Sequence, residues 1–210
     1  MSVLHRLASA LGRRDDEPNK QLARELAEAQ ARDEIRELVA NLHNPNPKIQ
    51  SDCIKVLYEI GYIAPHLIAE YAPEFLALLK SKNNRLVWGG MCALATIAPL
   101  QADLLYAHRQ EIQQAIDHGS VITVDRGIKT LAAIAAQNPD YRAAIMPYLL
   151  EHLKTCRPKD VPLRGEAILQ AVDPATKTAF VEVLQARLAD LRPAQAKRVR
   201  RVIEKAKSVA

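Results

Sequence analysis

The residues able to do chemistry are few and scattered. The six histidines, His5, His43, His66, His108, His118 and His152, never fall at i, i+3 or i, i+4, the spacings that set two imidazoles on one helix face as metal ligands. His108 and His118 stand at the two ends of an expected helix. Cys53, Cys92 and Cys156 form an odd set without a CxxC pair, which argues against a disulfide framework and a structural zinc site. No glycine-rich phosphate loop and no GxSxG elbow occurs. The one tryptophan, Trp88, lies beside Gly89-Gly90, where a packing role or an exposed contact is the simplest reading. Side chains so dispersed call for no cofactor and no catalytic constellation. The information must lie in the elements that carry them.

Composition identifies those elements as helices. Apolar residues make up 49% of the 210 residues but aromatics only 4%, so the core is built from Leu, Ile, Val and Ala. Two Phe, one Trp and seven Gly are too few for the strands and tight turns of a β domain. The 12 prolines are expected near segment boundaries, outside helix interiors. Apolar stretches are interrupted well before the roughly 20 residues of a membrane span, so no membrane insertion is expected and the localisation expected by default is cytoplasmic. At the N-terminus, Val3, Leu4, Leu7, Ala8 and Leu11 share one helical face, while His5 and Arg6 break any signal-peptide core. That segment is expected to be a short helix docked on the body.

Internal repetition dominates the rest of the chain. Leu57, Leu94 and Leu131 are spaced by 37 residues and lead on to Leu169; Ile60, Ile97 and Ile134 keep the same step and end at Val172. Cys53, Gly90, Gly127 and Gly165 form a column of small residues. Downstream in each unit run Leu38, Phe75, Ile112 and Leu149, and Leu42, Leu79, Ile116, Leu153 and Leu191. Within a unit, Cys53, Leu57 and Ile60 stand at i, i+4 and i+7, the stripe of an amphipathic helix. Breakers such as Pro65, Pro99, Asn138-Pro139 and Asp173-Pro174 divide the halves, and polar turns separate the units. Each unit is therefore a helical hairpin, which cannot bury its apolar face alone and must stack on its neighbours. The fold expected is all-α, a right-handed α-α superhelix of about four hairpins over residues 45–82, 83–119, 120–157 and 158–192. One long helix over 20–43 and a last helix over 193–207 cap it. Residues 1–19 form a short helix and charged linker, and 20–210 a single solenoid domain. The small column lets helix backbones approach closely.

On these residues the chain resembles the HEAT-repeat superfamily of helical-hairpin solenoids related to armadillo arrays. Ile49, Cys53, Leu57, Ile60 and Gly61 match the family's first-helix pattern; it recurs as Leu86, Gly90, Leu94, Ile97 and Ala98, and less fully as Thr123, Gly127, Leu131, Ile134 and Ala135. The usual Arg after the aliphatic is Gln50, Val87 and Val124 here. The resemblance implies a binding scaffold rather than an enzyme, with recognition on the concave face lined by second helices. There Tyr71, His108, Arg109, Tyr141, Arg142 and Tyr148 are the candidate partner-binding residues, of types enriched at protein interfaces. The alternative is a nucleic-acid-binding protein, or a repair protein akin to the HEAT-like DNA glycosylases. Trp88 and Asp125 share one repeat column, which could set them side by side, but first helices line the convex face in this superfamily. The His-Glu pairs of its di-iron hydroxylases are missing, with only Glu151-His152 in reverse order.

Net charge sharpens that choice. The surplus of +5 lies entirely in residues 193–210, which hold six basic side chains and one acidic, while the repeat body is near neutral. Lys197, Arg198, Arg200 and Arg201 are thus either the solvated face of a cap or a docking site for an acidic partner. A protein partner is the expectation, and nucleic acid the less favoured one.

Overall fold

The computed structural model describes residues 2–209, and these contain helices and turns but no strand. Met1 and Ala210, the end residues of the expected N-terminal helix-and-linker segment and of the expected solenoid, lie outside them. Contacts group the chain into two compact units, one ending at Gly127 and one beginning at Ile128.

The first unit begins with a 3-10 turn, Val3–Arg6, followed by α1 (Glu17–Glu28), α2 (Arg32–Ala40), α3 (Pro47–Ile63), α4 (Ala72–Leu78), α5 (Asn84–Ile97), α6 (Ala102–Ala107) and α7 (Arg109–Asp117). Helix α8 (Val121–Ala135) leads out of it. The N-terminal segment is docked: Val3, Leu7 and Ala8 are buried, the Val3 amide donates to Glu37 at 2.9 Å, and Arg6 pairs with Glu25. Leu11, assigned to the same apolar face, is instead 55% exposed, because the short turn ends before reaching it. The single helix expected over 20–43 is two, α1 and α2. Between them Gln30, just past the C-cap of α1, takes a left-handed φ of 53°, the conformation that commonly ends a helix.

Side-chain capping starts the first helices of the first two hairpins. Asn46 accepts from the Lys48 amide at 3.0 Å with Pro47 in the first turn of α3, and Asn83 accepts from the Arg85 amide at 3.0 Å at the start of α5. Each cap satisfies an amide with no partner inside its helix. Helix α3 packs between α1 and α5, and α4 packs on α5. The repeat columns are the core: Leu57, Leu94, Ile60, Ile97, Leu38, Phe75 and Ile112 are all fully buried. Leu79 alone of the unit's column residues is half-buried. At Gly90 a Cβ would lie 3.0 Å from the Phe75 carbonyl oxygen and the Leu78 side chain, and at Gly127 one would lie 2.4 Å from Ile116. Close approach of first and second helices therefore explains the small column, and hinge motion does not.

The second unit carries the end of α8 and then α9 (Pro139–Thr155), α10 (Val161–Ile168), α11 (Lys177–Arg187) and α12 (Pro193–Lys207). Leu131, Ile134, Leu149 and Leu153 are fully buried, while Leu169 and Leu191 are half-buried. Pro147 departs from the expectation for prolines, because it lies inside α9. Pro147 and Ala143 are both exposed, so the carbonyl deprived of its helical donor can turn to water. Helix α12 buries Ala196, Val199, Val202, Ile203 and Ala206 against α10 and α11.

Candidate functional site

Within the first unit the N-terminal segment crosses α3 and stands as the wall of a cleft of about 1050 Å³. Asp52 on α3 anchors that wall. Its carboxylate accepts from the Ser9 amide at 2.8 Å and from the Asn19 side chain at 2.7 Å, while Asn19 in turn accepts from the Ala8 amide at 2.9 Å. A second tie lies deeper along the chain. Asp16 pairs with Lys20 and Lys55, both at 2.9 Å, and Lys55 also meets Glu59 at 2.6 Å. Hydrogen bonds from Lys55 and Lys20 hold the Asp16 carboxyl down at about 2. Burial works against the charge of Lys55, yet the bonds to Glu59 and Asp16 outweigh it and keep its pKa above the usual lysine range.

Aromatic rings and uncommitted cations line the opening. Trp88 is half-buried, with its ring centroid 5.9 Å from that of buried Tyr58, over which Lys55 Nζ sits at 4.9 Å. Around them stand Arg14, Lys48, Lys82 and Arg85, all exposed. None of the four makes an ion pair or a side-chain hydrogen bond among the described residues. The acidic lining residues are all engaged: Asp15 by Arg13, Asp16 by the two lysines, Asp52 by Ser9 and Asn19. The cleft therefore presents net positive charge over an aromatic floor.

Most of the residues singled out from sequence are engaged within the protein. Tyr71 is half-buried, and burial together with the Glu70 charge pushes its hydroxyl pKa up. His108 Nδ1 meets Glu111 at 2.7 Å, and Glu111 also pairs with Lys80 at 2.7 Å; these two bonds hold its carboxyl below the usual range. Arg109 lies over the Tyr106 ring at 4.4 Å and donates to the Tyr106 carbonyl at 3.2 Å. In the second unit Arg142, taken as an exposed position, is a clamp with only 16% of its side chain exposed. It donates to the Ala171 carbonyl and to Asp173, both at 2.9 Å, and so fixes the turn after α10. Tyr141 is half-buried, and Tyr148 stacks on His152 at 6.3 Å. On α12, Arg198 is held by Glu166 through two hydrogen bonds, which raise its pKa, whereas Lys197, Arg200 and Arg201 project from the exposed face.

Sequence reasoning passed over the cleft because its wall is made by residues distant in the chain. One signal for its rim was present. Asn46, Asn83 and Ser120 recur at the 37-residue step as helix caps, so Lys48, Arg85 and Ile122 occupy one position in successive first helices. The thiols offer no nucleophile here: burial pushes Cys53 up to about 12 and raises Cys92. No group of three His, Cys, Asp or Glu side chains gathers among the described residues, and no helix among them is long and apolar enough to cross a membrane.

The fold is that of the armadillo and HEAT helical-repeat proteins. An engineered protein superposes with a TM-score of 0.68 at 21% identity, covering 99% of this chain and 98% of its own. A designed armadillo repeat protein in complex with the peptide (KR)4 matches with a TM-score of 0.68 at 16% identity, over 89% of this chain and 86% of that one. Kap121p bound to Ste12p matches at 0.63 and 16% identity; 90% of this chain corresponds to 21% of that protein. The sequence matches no protein-family profile and no curated protein.

Proposed function

We propose that the chain is a non-catalytic protein-binding repeat scaffold, and that the cleft of its first unit is where a partner chain docks. The observation that carries this reading is the cleft itself: a concavity with a half-buried Trp88 in its lining and four cations that no group among the described residues engages. Concave, aromatic-lined surfaces with a polar rim are where binding energy concentrates. The solved structures of this fold support the scaffold part of the reading, since one holds the peptide (KR)4 and another is bound to Ste12p. Tyr71, His108 and Arg109 lend the second-helix face less weight as a docking place, because their side chains are occupied within the chain.

A blocking substitution tests this reading without depending on charge. Ser51 lines the cleft one repeat step before Trp88, so Ser51→Trp fills it with an indole. A partner captured by the wild type, identified and then purified, should bind the Ser51→Trp and Trp88→Ala proteins at least tenfold more weakly. It should bind Lys197→Ala/Arg200→Ala as the wild type does. Unchanged binding to both cleft variants, with circular dichroism showing intact folds, overturns the assignment.

A further inference from the structure

Resting on the cleft being the docking site, the geometry points to its occupant. We infer that the first unit binds an acidic, extended segment of a partner protein in a polyproline II conformation, with carboxylates at every third residue.

Charge gives the chemistry. Among the described residues Arg14, Lys48, Lys82 and Arg85 line the cleft without a counter-ion, and Asp15, Asp16 and Asp52 are each already bound by groups of the protein. An acidic segment would meet four open cations, and the exposed Asp15 and Asp16 carboxylates it would meet are already paired with Arg13, Lys20 and Lys55. A basic or neutral segment would gain nothing from the rim.

Spacing gives the conformation. Lys48 and Arg85 stand two residues past the equivalent caps Asn46 and Asn83, so they hold one position on adjacent helices. The two helix ends are side by side, because Asn83 Nδ2 reaches Gln50 Oε1 at 3.4 Å and Gln50 Nε2 holds the Asn44 carbonyl at 2.8 Å. Packed helices lie about 8–10 Å apart. A polyproline II chain advances about 3.1 Å per residue with three residues per turn, so its side chains at i and i+3 project from one side about 9 Å apart. A β-strand returns to the same side every second residue, about 6.6 Å on, and misses this interval. Trp88 supplies the aromatic surface on which the rings of such a segment can lie. The column ends the basic run itself: its next member is Ile122, 45% exposed, so two carboxylates rather than a longer acidic run match it.

The test uses fluorescein-labelled peptides and the full chain, read by fluorescence anisotropy over a salt series. The peptide (Pro-Pro-Glu)4 should bind the wild type, weakening as salt rises, and (Pro-Pro-Lys)4 should bind at least tenfold less well. Peptides with the same composition but the glutamates placed consecutively should also bind less. Lys48→Glu/Arg85→Glu should cost at least tenfold in affinity for (Pro-Pro-Glu)4, while Lys197→Glu/Arg200→Glu, which changes the same charge on α12, should change it less than twofold. The inference is overturned if the spaced and consecutive peptides bind alike, if none binds, or if a twelve-residue oligothymidylate binds more tightly than (Pro-Pro-Glu)4 and loses that binding in Lys48→Glu/Arg85→Glu. Its failure is separable from that of the docking site. Should Ser51→Trp abolish binding of the purified partner while the acidic peptides fail, the cleft stands and its acidic occupant falls.

Discussion

The arginines that close helix ends in the second unit contrast with the four cations left open around the cleft of the first. In the second unit Arg142, Arg157 and Arg187 complete the fold. Arg187, with 11% of its side chain exposed, donates to the carbonyls of Leu153, Lys154 and Cys156 at 2.8, 2.6 and 2.8 Å and pairs with Asp190 at 2.8 Å. The Leu153 and Lys154 carbonyls lie in the last turn of α9, where no amide within the helix can satisfy them, and Cys156 caps that end. Arg142 closes the turn after α10, and Arg157 meets Asp160 at 2.7 Å. A guanidinium offers five donors in a rigid fork, enough to gather several carbonyls at once. In the cleft of the first unit, Arg14, Lys48, Lys82 and Arg85 gather nothing. A cation that closes a helix end is lost at the expense of folding, whereas one left open on a rim is lost at the expense of binding alone.

The contrast can be broken most forcefully at Arg187. Its replacement by alanine removes a charged donor from three carbonyls, of which, among the described residues, only that of Leu153 keeps another, the Cys156 thiol, and should lower stability by about 3 kcal/mol, as read from the urea midpoint. A loss below about 0.5 kcal/mol, the range of ordinary surface changes, would deny it the capping role. Next comes Asp52 in the first unit, the anchor of the cleft wall. Asp52→Ala removes the acceptors of the Ser9 amide and of Asn19, and should cost about 2 kcal/mol. It should also expose the Arg13–Arg14 bonds to trypsin faster than in the wild type; equal cleavage rates would mean that the wall is held by something else.

A smaller effect should follow acidification. Asp16 is held at about 2, below the unfolded carboxyl value of about 3.9. A carboxyl depressed in the folded state contributes stability above its unfolded pKa and loses it as pH falls toward the folded one. The wild-type melting temperature should therefore drop more between pH 4.5 and 2.5 than that of Asp16→Asn, and parallel curves would contradict the pairing with Lys20 and Lys55. Smallest of all, Lys48→Ala/Arg85→Ala should alter stability by less than about 0.5 kcal/mol, because those side chains touch nothing that the fold requires.

Much of the architecture was legible because it is local and periodic. The columns through Leu57, Ile60 and Phe75 repeat a spacing that only hairpins of helices satisfy, and their members are buried. The small column could be read as close packing, and the approach of Phe75 and Leu78 to Gly90 is that packing. The last helix runs over Pro193–Lys207 as its proline and apolar stripe imply. What was not legible depends on distant partners or on a single dihedral. Nothing in the apolar pattern of residues 20–43 marks Gln30 as a left-handed residue. Arg142 reads as a surface residue until the turn at Ala171 closes on it. The cleft arises because Asp52 binds Ser9, 43 positions earlier in the chain, a contact without periodic signature.

The most direct measurement sets the two basic regions against each other: the affinity of (Pro-Pro-Glu)4 for the wild type, for Lys48→Glu/Arg85→Glu and for Lys197→Glu/Arg200→Glu at fixed ionic strength. Loss of binding in the first variant and retention in the second is the result this account predicts. Retention in the first with loss in the second would move the acidic-partner site to α12 and contradict it.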